Sequence, residues 1–206
     1  RYTFENGLPI DFQWLRTPET ERIFSTEGGR LRLFGRESIG SWFEQALVAR
    51  RQEHHCFRAE TTVEFSPETY QQVAGLTHYY NRHKFHALVV TLHEKLGRVV
   101  TIFSCPGDFP HGRMVFPADS GAAVPEGPVD LAMDIRDNDL QFFWRASGKA
   151  WQKIGSALDA GVISDEGGRG EHGSFTGAFA GMLAFDTSGR GRPADFSRFV
   201  YEQIPR

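Results

Sequence analysis

Cysteine is scarce in this 206-residue chain: only Cys56 and Cys105 occur. Two isolated thiols in strand-like surroundings make neither a disulfide framework nor a metal-binding spacing, and buried free thiols account for them. Long apolar runs are missing too. None approaches the roughly 20 residues that a membrane-spanning helix needs, and Arg1-Tyr-Thr-Phe-Glu5 lacks the apolar centre of a secretion signal. A cytoplasmic setting is the expectation on that ground, while Arg1, opening in mid-pattern and without methionine, reads as a cut point. Net charge is also small, formally -3, which gives no reason to expect nucleic acid or an anionic membrane as partner. Sustained helical periodicity is absent, with only Ile39 to Gln45 and Ala157 to Val162 reading as a helical turn or two.

Catalytic signatures are equally sparse. Sugar-cleaving jelly rolls set two carboxylates two residues apart on one strand, so that both reach the same bond. Here the candidates, Glu60 with Glu64 and Asp130 with Asp134, are four apart, which at about 3.3 Å per residue separates them by roughly 13 Å. Solvated strand faces explain them better. Asp137 and Asp139 fall in a tight turn, where side chain to backbone hydrogen bonding is the ordinary role and calcium ligation the lesser alternative. His54, His55, His78, His83, His86 and His93 show neither helical nor finger spacing, and only His78 with His86 or His83 could meet across a hairpin, so no metal site is expected. No serine sits in a nucleophile elbow, and Gly167, Gly168 and Gly170 lack the strand-then-helix setting of a phosphate loop. The chain does not read as a complete enzyme.

What is present is a period of two. Hydrophobic residues make up 40% and charged ones 24%, an ordinary globular balance, and residues 1–206 read as one domain. Leu31 to Phe34 is a short strand between glycines. In Phe57 to Phe65, one face carries Phe57, Ala59, Thr61, Val63 and Phe65, and the other Arg58, Glu60, Thr62 and Glu64, which belongs in water. Gln71 to Tyr80 and His83 to His93 flank Asn81-Arg82 as a hairpin, followed by a strand over Arg98 to Ser104. After a Pro- and Gly-rich connection, with one short strand around Met114 to Phe116, come Val129 to Ile135, Leu140 to Arg145 and Ala150 to Ile154 as a meander, and Phe196 to Tyr201 as the last strand. Many short strands punctuated by turns specify an all-β sandwich or jelly roll. Trp14, Trp42, Trp144, Trp151, Tyr79 and Tyr80 are candidate sugar-stacking platforms, although Trp144 and Phe142 share a face that a sandwich core would claim.

One stretch organises the rest. From Thr176 to Phe185 small and large apolar residues run without a charge, which suits a strand covered on both faces near the middle of a sheet. Before it lies Ser164 to Ser174, where Gly167, Gly168, Gly170 and Gly173 are mixed with charged side chains, a composition that buries too little to fold alone. Phe175 sits at the joint. Its ring is either tucked back under the loop or offered to a partner.

Several segments carry a resemblance. Arg36-Glu-Ser38, Leu47-Val-Ala-Arg-Arg-Gln52, Val63-Glu-Phe-Ser-Pro-Glu68, Tyr79-Tyr-Asn81, Trp151-Gln-Lys-Ile-Gly155, Ser164-Asp-Glu166, Phe175-Thr-Gly-Ala-Phe179 and Pro193-Ala-Asp-Phe196 resemble, in order, the C-terminal concanavalin A-like module of glycoside hydrolase family 43 β-xylosidases. The likeness implies a concanavalin A-like jelly-roll sandwich of two antiparallel sheets. It implies a non-catalytic role, packed on a five-bladed β-propeller that holds the catalytic carboxylates, with a xylo-oligosaccharide or arabinoside bound at the domain interface. The phenylalanine that such modules lend to the active-site pocket falls on Phe175, and the ring is then offered. An apolar side chain there would exclude water from the reacting sugar. The stretch Gly167 to Ser174 is longer than the family's short glycine run, which brings Arg169 and His172 forward as further contacts. No cofactor is implied beyond a structural calcium near the chain ends, which the likeness places at Asp195 with Glu5. Sheet edges could pair between copies in a homo-oligomer. The other reading of the chain is an independent lectin-like carbohydrate-binding module.

Overall fold

The structure, a computed structural model, describes residues 1–107, 112–119, 121–167 and 175–206. Its strands are β1 (Phe12–Trp14), β2 (Phe24–Ser25), β3 (Leu31–Phe34), β4 (Ala46–Arg51), β5 (Cys56–Glu64), β6 (Gln72–Asn81), β7 (Lys84–His93), β8 (Gly97–Pro106), β9 (Ala122–Ala123), β10 (Val129–Arg136), β11 (Asp139–Ala146), β12 (Gln152–Asp159), β13 (Phe179–Asp186) and β14 (Pro193–Gln203). They form two seven-stranded sheets, ordered β12-β11-β10-β5-β14-β3-β2 and β1-β4-β13-β6-β7-β8-β9. Every pairing within them is antiparallel. We call them the β5 sheet and the β6 sheet.

The inner faces meet in one core. Phe57, Ala59 and Val63 of β5, with Phe142 of β11 and Phe196 and Phe199 of β14, join Ala74 and Leu76 of β6, Leu88 and Val90 of β7 and Met182 of β13. Each fully buried phenylalanine contributes roughly 1.5–3 kcal/mol by leaving water. The alternation in Phe57 to Phe65 is realised residue by residue, since all five of the expected inward positions are buried.

The outer faces differ. On the β5 sheet, Arg58 pairs with Glu60 (2.6 Å) and Asp134 (2.7 Å), Arg145 with Asp130 (2.7 Å), and Arg198 with Glu60 (3.1 Å) and Asp130 (3.5 Å). The Trp151 ring lies over this lattice, 4.8 Å from the Arg58 guanidinium and 4.3 Å from that of Arg145. The expectation of solvated carboxylates is corrected accordingly: Glu60, Asp130 and Asp134 are held in ion pairs with guanidinium groups.

The β6 sheet carries a second apolar cluster on its outer face, built from Leu47 and Ala49, Val73 and Tyr79, Phe85, Ala87 and Val89, Phe103 and Cys105, and Leu183 and Phe185. Central strands buried on both faces read as near-continuous apolar runs, which is how 176–185 reads. Two straps cross this face. The first, residues 36–45, is not helical as its sequence promised. It brings Ile39 into the cluster, while Gln45 Nε2 donates to the Ile39 and Ser41 carbonyls at 2.7 Å each. The second, residues 112–119, makes one bridge, Val115 to Ser104, in place of the short strand expected there, and sets Phe116 edge-on to Phe103 at 5.0 Å. Where a helical turn was expected over Ala157 to Val162, β12 continues to Asp159 and only Ala160–Val162 turns, capped by the Asp159 carboxylate accepting from the Gly161 amide. No helix among the described residues is long and apolar enough to cross a membrane.

Candidate functional site

The β6 sheet decides where Phe175 lies. Strand β13 is threaded between β4 and β6, with Phe179 opposite Arg51 and Tyr79. Residues 175–178 therefore emerge at the end of the sandwich where β6 turns into β7. Phe175 is 89% exposed there and is not tucked under the described part of the loop.

The chain on either side of the loop is fixed. On the far side of Phe175, the Thr176 amide donates to Tyr80 Oη (3.1 Å), the Thr176 carbonyl accepts from Arg51 Nη1, and the Gly177 amide donates to Asp165 Oδ1 (3.1 Å). Gly177 has φ +71°, and a Cβ on it would also lie 3.2 Å from Arg51 Nη1, so the turn into β13 requires glycine. On the near side, Lys84 Nζ donates to the carbonyls of Ser164 and Gly167 at 2.7 Å each. The Tyr80 hydroxyl links the two sides by donating to Asp165, and the Lys84 ammonium sits 4.0 Å from the centre of the Tyr80 ring. These contacts shift the ionisable groups. The hydrogen bond from Tyr80, then that from the Gly177 amide, hold the Asp165 carboxyl below the usual carboxylate range. Burial draws the Lys84 ammonium below its ordinary value, against the attraction of Asp165 and Glu166.

Beneath this loop, between the sheets, is a pocket of about 640 Å³ whose walls include Gln52, His54, His78, Asn138 and Glu166. His78 faces His86 across the β6–β7 pairing, as the sequence allowed. Burial first, and the neighbouring His86 second, push its pKa down to about 3. The imidazole is neutral, with Nε2 2.8 Å from Gln52 Oε1 and Nδ1 without a partner among the described residues. A neutral histidine with a free nitrogen could ligate a metal, but among the described residues no three His, Cys, Asp or Glu side chains converge.

Arg169 and His172, the other expected contacts of this loop, lie outside the described residues. Where a calcium was expected, both Asp195 carboxylate oxygens accept from the Arg32 guanidinium, at 2.7 Å each, which is the charge-assisted partner the side chain has in this structure. Glu5 lies beside Gly29 and, among the described residues, belongs to no group of three metal-binding side chains. Tyr79 and Tyr80 are buried and so are not sugar platforms, and Trp144 is core as its alternation required. Trp14 packs on Phe24, Trp42 lies under the Arg82 guanidinium at 4.2 Å, and Trp151 roofs the ion-pair lattice. Lys84 went unnoticed in the sequence, and Arg51 figured only as part of a motif, because a cation beside a hairpin turn or at a strand end looks solvated. The only hint was the nearby Ser164-Asp-Glu166 segment.

Comparison with known proteins agrees with this geometry. Residues 1–202 match the family described as the beta xylosidase C-terminal concanavalin A-like domain. The chain is 52% identical over 207 residues to a xylosidase/arabinosidase 43B of Humicola insolens, covering 99% of this chain and 38% of that protein. It is 41% identical over 203 residues to a beta-xylosidase of Bacillus subtilis (strain 168), covering 97% and 37%. Among solved structures, a xylan beta-1,4-xylosidase from Bacillus halodurans C-125 superposes with a TM-score of 0.89 at 34% identity, over 95% of this chain and 37% of that one. The chain thus spans little more than a third of the length of these relatives. By its strand order, its buried β13 and a match running from the first residue to the last strand, the chain belongs to the family of β-xylosidase C-terminal concanavalin A-like domains.

Proposed function

We propose that this chain is a non-catalytic module of a family 43 glycoside hydrolase, packed on a five-bladed catalytic propeller and lending Phe175 to the pocket that holds a xylo-oligosaccharide or an arabinoside. The observation that carries this reading is the exposure of Phe175, a large apolar ring held out by a backbone that is hydrogen-bonded immediately behind it. Leaving such a ring in water gains nothing by itself, whereas against a sugar it would exclude solvent and narrow the pocket. Trp42 and Phe43, also exposed, lie near the same end, since Arg82 of the β6–β7 turn donates to the Gly40 carbonyl and stacks on Trp42. They fit a second apolar contact with the same partner. The ion pairs of Glu60, Asp130 and Asp134 give those carboxylates a structural role in place of the catalytic one that a jelly-roll hydrolase would need.

In the full-length enzyme, Phe175→Ala is expected to lower kcat/KM on an aryl xyloside about tenfold, the equivalent of roughly 1.4 kcal/mol of transition-state stabilisation. An unchanged kcat/KM would overturn the reading. A second reading, a lectin-like module, is favoured by one feature: Tyr70, Met114 and Phe116 rim a groove of about 430 Å³ on the outer face of the β6 sheet. Calorimetric titration of the isolated chain with xylotriose and arabinoxylan separates the two, since the lending role predicts no heat and the lectin role a saturable signal.

A further inference from the structure

Both ends of the loop that carries Phe175 are held by the same few side chains, all standing on the β6 sheet or reaching it. Lys84 is 4% exposed. A buried ammonium is costly unless its donors are met, and here they are met by two backbone carbonyls of one loop end, Ser164 and Gly167, over the face of the Tyr80 ring. Tyr80, 6% exposed, sits on the adjacent strand. Its hydroxyl is used twice: it donates to Asp165 on that same loop end and accepts from the Thr176 amide on the other. Asp165 closes the ring by accepting from Gly177. The peptide joining Phe175 to Thr176 is thereby fixed, and the Arg51 bond to the Thr176 carbonyl fixes the next one. Core packing does not require these bonds, because β13 is paired on both edges from Phe179 onward.

We propose that Tyr80, Lys84 and Asp165 are positioning residues that lock the two ends of the loop together and so set the direction in which Phe175 is presented. This rests on the lending role of Phe175 proposed above. The cluster spends buried polar groups on a segment that adds little to the core, which is the expense expected where geometry must be held rather than stability gained. Tying down the loop ends beforehand also spares the partner the ordering cost at the moment of contact.

The test uses the full-length enzyme with Phe175→Ala, Tyr80→Phe and Lys84→Met, each alone and the latter two combined with Phe175→Ala. Tyr80→Phe deletes both hydroxyl bonds while keeping the ring, so it spares the fold if Lys84→Met does not. Each positioning variant should lower kcat/KM at least threefold but no further than Phe175→Ala, and should cause no added loss in the Phe175→Ala background. A role in folding alone would instead give losses that multiply, and that result, or an unchanged kcat/KM, overturns the proposal. Hydrogen exchange gives a separate readout. In Tyr80→Phe the Thr176 and Gly177 amides should exchange at least tenfold faster while the β6–β7 ladder is unchanged, and unaltered exchange also overturns it. Should Phe175→Ala alone leave kcat/KM intact, the lending role fails, and the exchange rates still decide whether the cluster holds the loop.

Discussion

The two sheets turn opposite kinds of surface outward. The β5 sheet ends in alternating guanidinium and carboxylate groups that satisfy one another, whereas the β6 sheet ends in phenylalanine, leucine and valine under two irregular straps. A mutually satisfied charged lattice has little to gain from a partner, since covering it would strip its hydration for no new bond. An apolar face that needs straps, and leaves Tyr70 and Phe43 about three-quarters exposed at its margins, is the kind of surface that further burial stabilises. The Phe175 loop is rooted in this second sheet. The apolar β6 face is thus the side on which further burial would stabilise, whereas the β5 face already satisfies its own charges.

The sharpest way to break this contrast is to hollow out the apolar face. Phe85→Ala, at a buried position of the outer cluster, should cost about 3–5 kcal/mol in denaturant unfolding. A loss under about 1 kcal/mol would mean that the outer cluster is loosely held and that the two faces are less different than described. On the charged face, Asp130 is the common acceptor of Thr62, Arg145 and Arg198. Asp130→Asn should cost about 1.5–3 kcal/mol, with the loss shrinking in 1 M salt, where Phe85→Ala should not change.

Acid separates the sheets in another way. The folded-state pKa of His78 is depressed from 6.5 to about 3, so the unfolded chain binds the extra proton. Stability is then full above pH 6.5 and falls as pH drops toward 3, by at most about 1.4 kcal/mol per pH unit. His86, likewise lowered by burial, acts in the same direction. Asp130 is pushed up by burial, but hydrogen bonds from Thr62 and Arg145 and the charge of Arg198 outweigh this and leave its pKa low. Its contribution is therefore lost only as pH falls through that lowered value. In a pH series of thermal unfolding, His78→Leu should flatten the slope between pH 6.5 and 4, and Asp130→Asn should not. The smallest effect is a gain. Thr101 is buried on the apolar face with its hydroxyl unpartnered among the described residues, so Thr101→Val should raise stability by about 1 kcal/mol.

Most of the fold was legible because alternation is a local signal. Leu31 to Phe34 and Phe57 to Phe65 could be read off almost to the residue, and β13 could be placed mid-sheet from its uncharged run. The hairpin turn was read one residue early: it spans Arg82 and His83, with Asn81 accepting from the His83 amide at 2.8 Å. What stayed hidden depends on pairing across the chain. Asp195 looked like a free calcium ligand because Arg32 is 163 residues away. The carboxylates of β5 and β10 looked solvated because their guanidinium partners lie on neighbouring strands. Of the cluster around the loop, Phe175, Tyr80 and Arg51 stood in the segments that carry the resemblance, but the hydrogen bonds they make and the part of Lys84 were not legible, since nothing local says that a lysine after a turn will grip a loop 80 residues away.

The short stretch from Phe175 to Phe179, with its glycine at positive φ, makes the address of that ring a matter of counting. Measured from the register of β13, Phe175 lies a fixed four residues ahead of the first paired position. Lengthening or shortening the stretch before it leaves that count intact. A residue inserted after it would change that count. The ring's distance from the sheet is therefore set by the residues that follow it and not by the length of chain that precedes it.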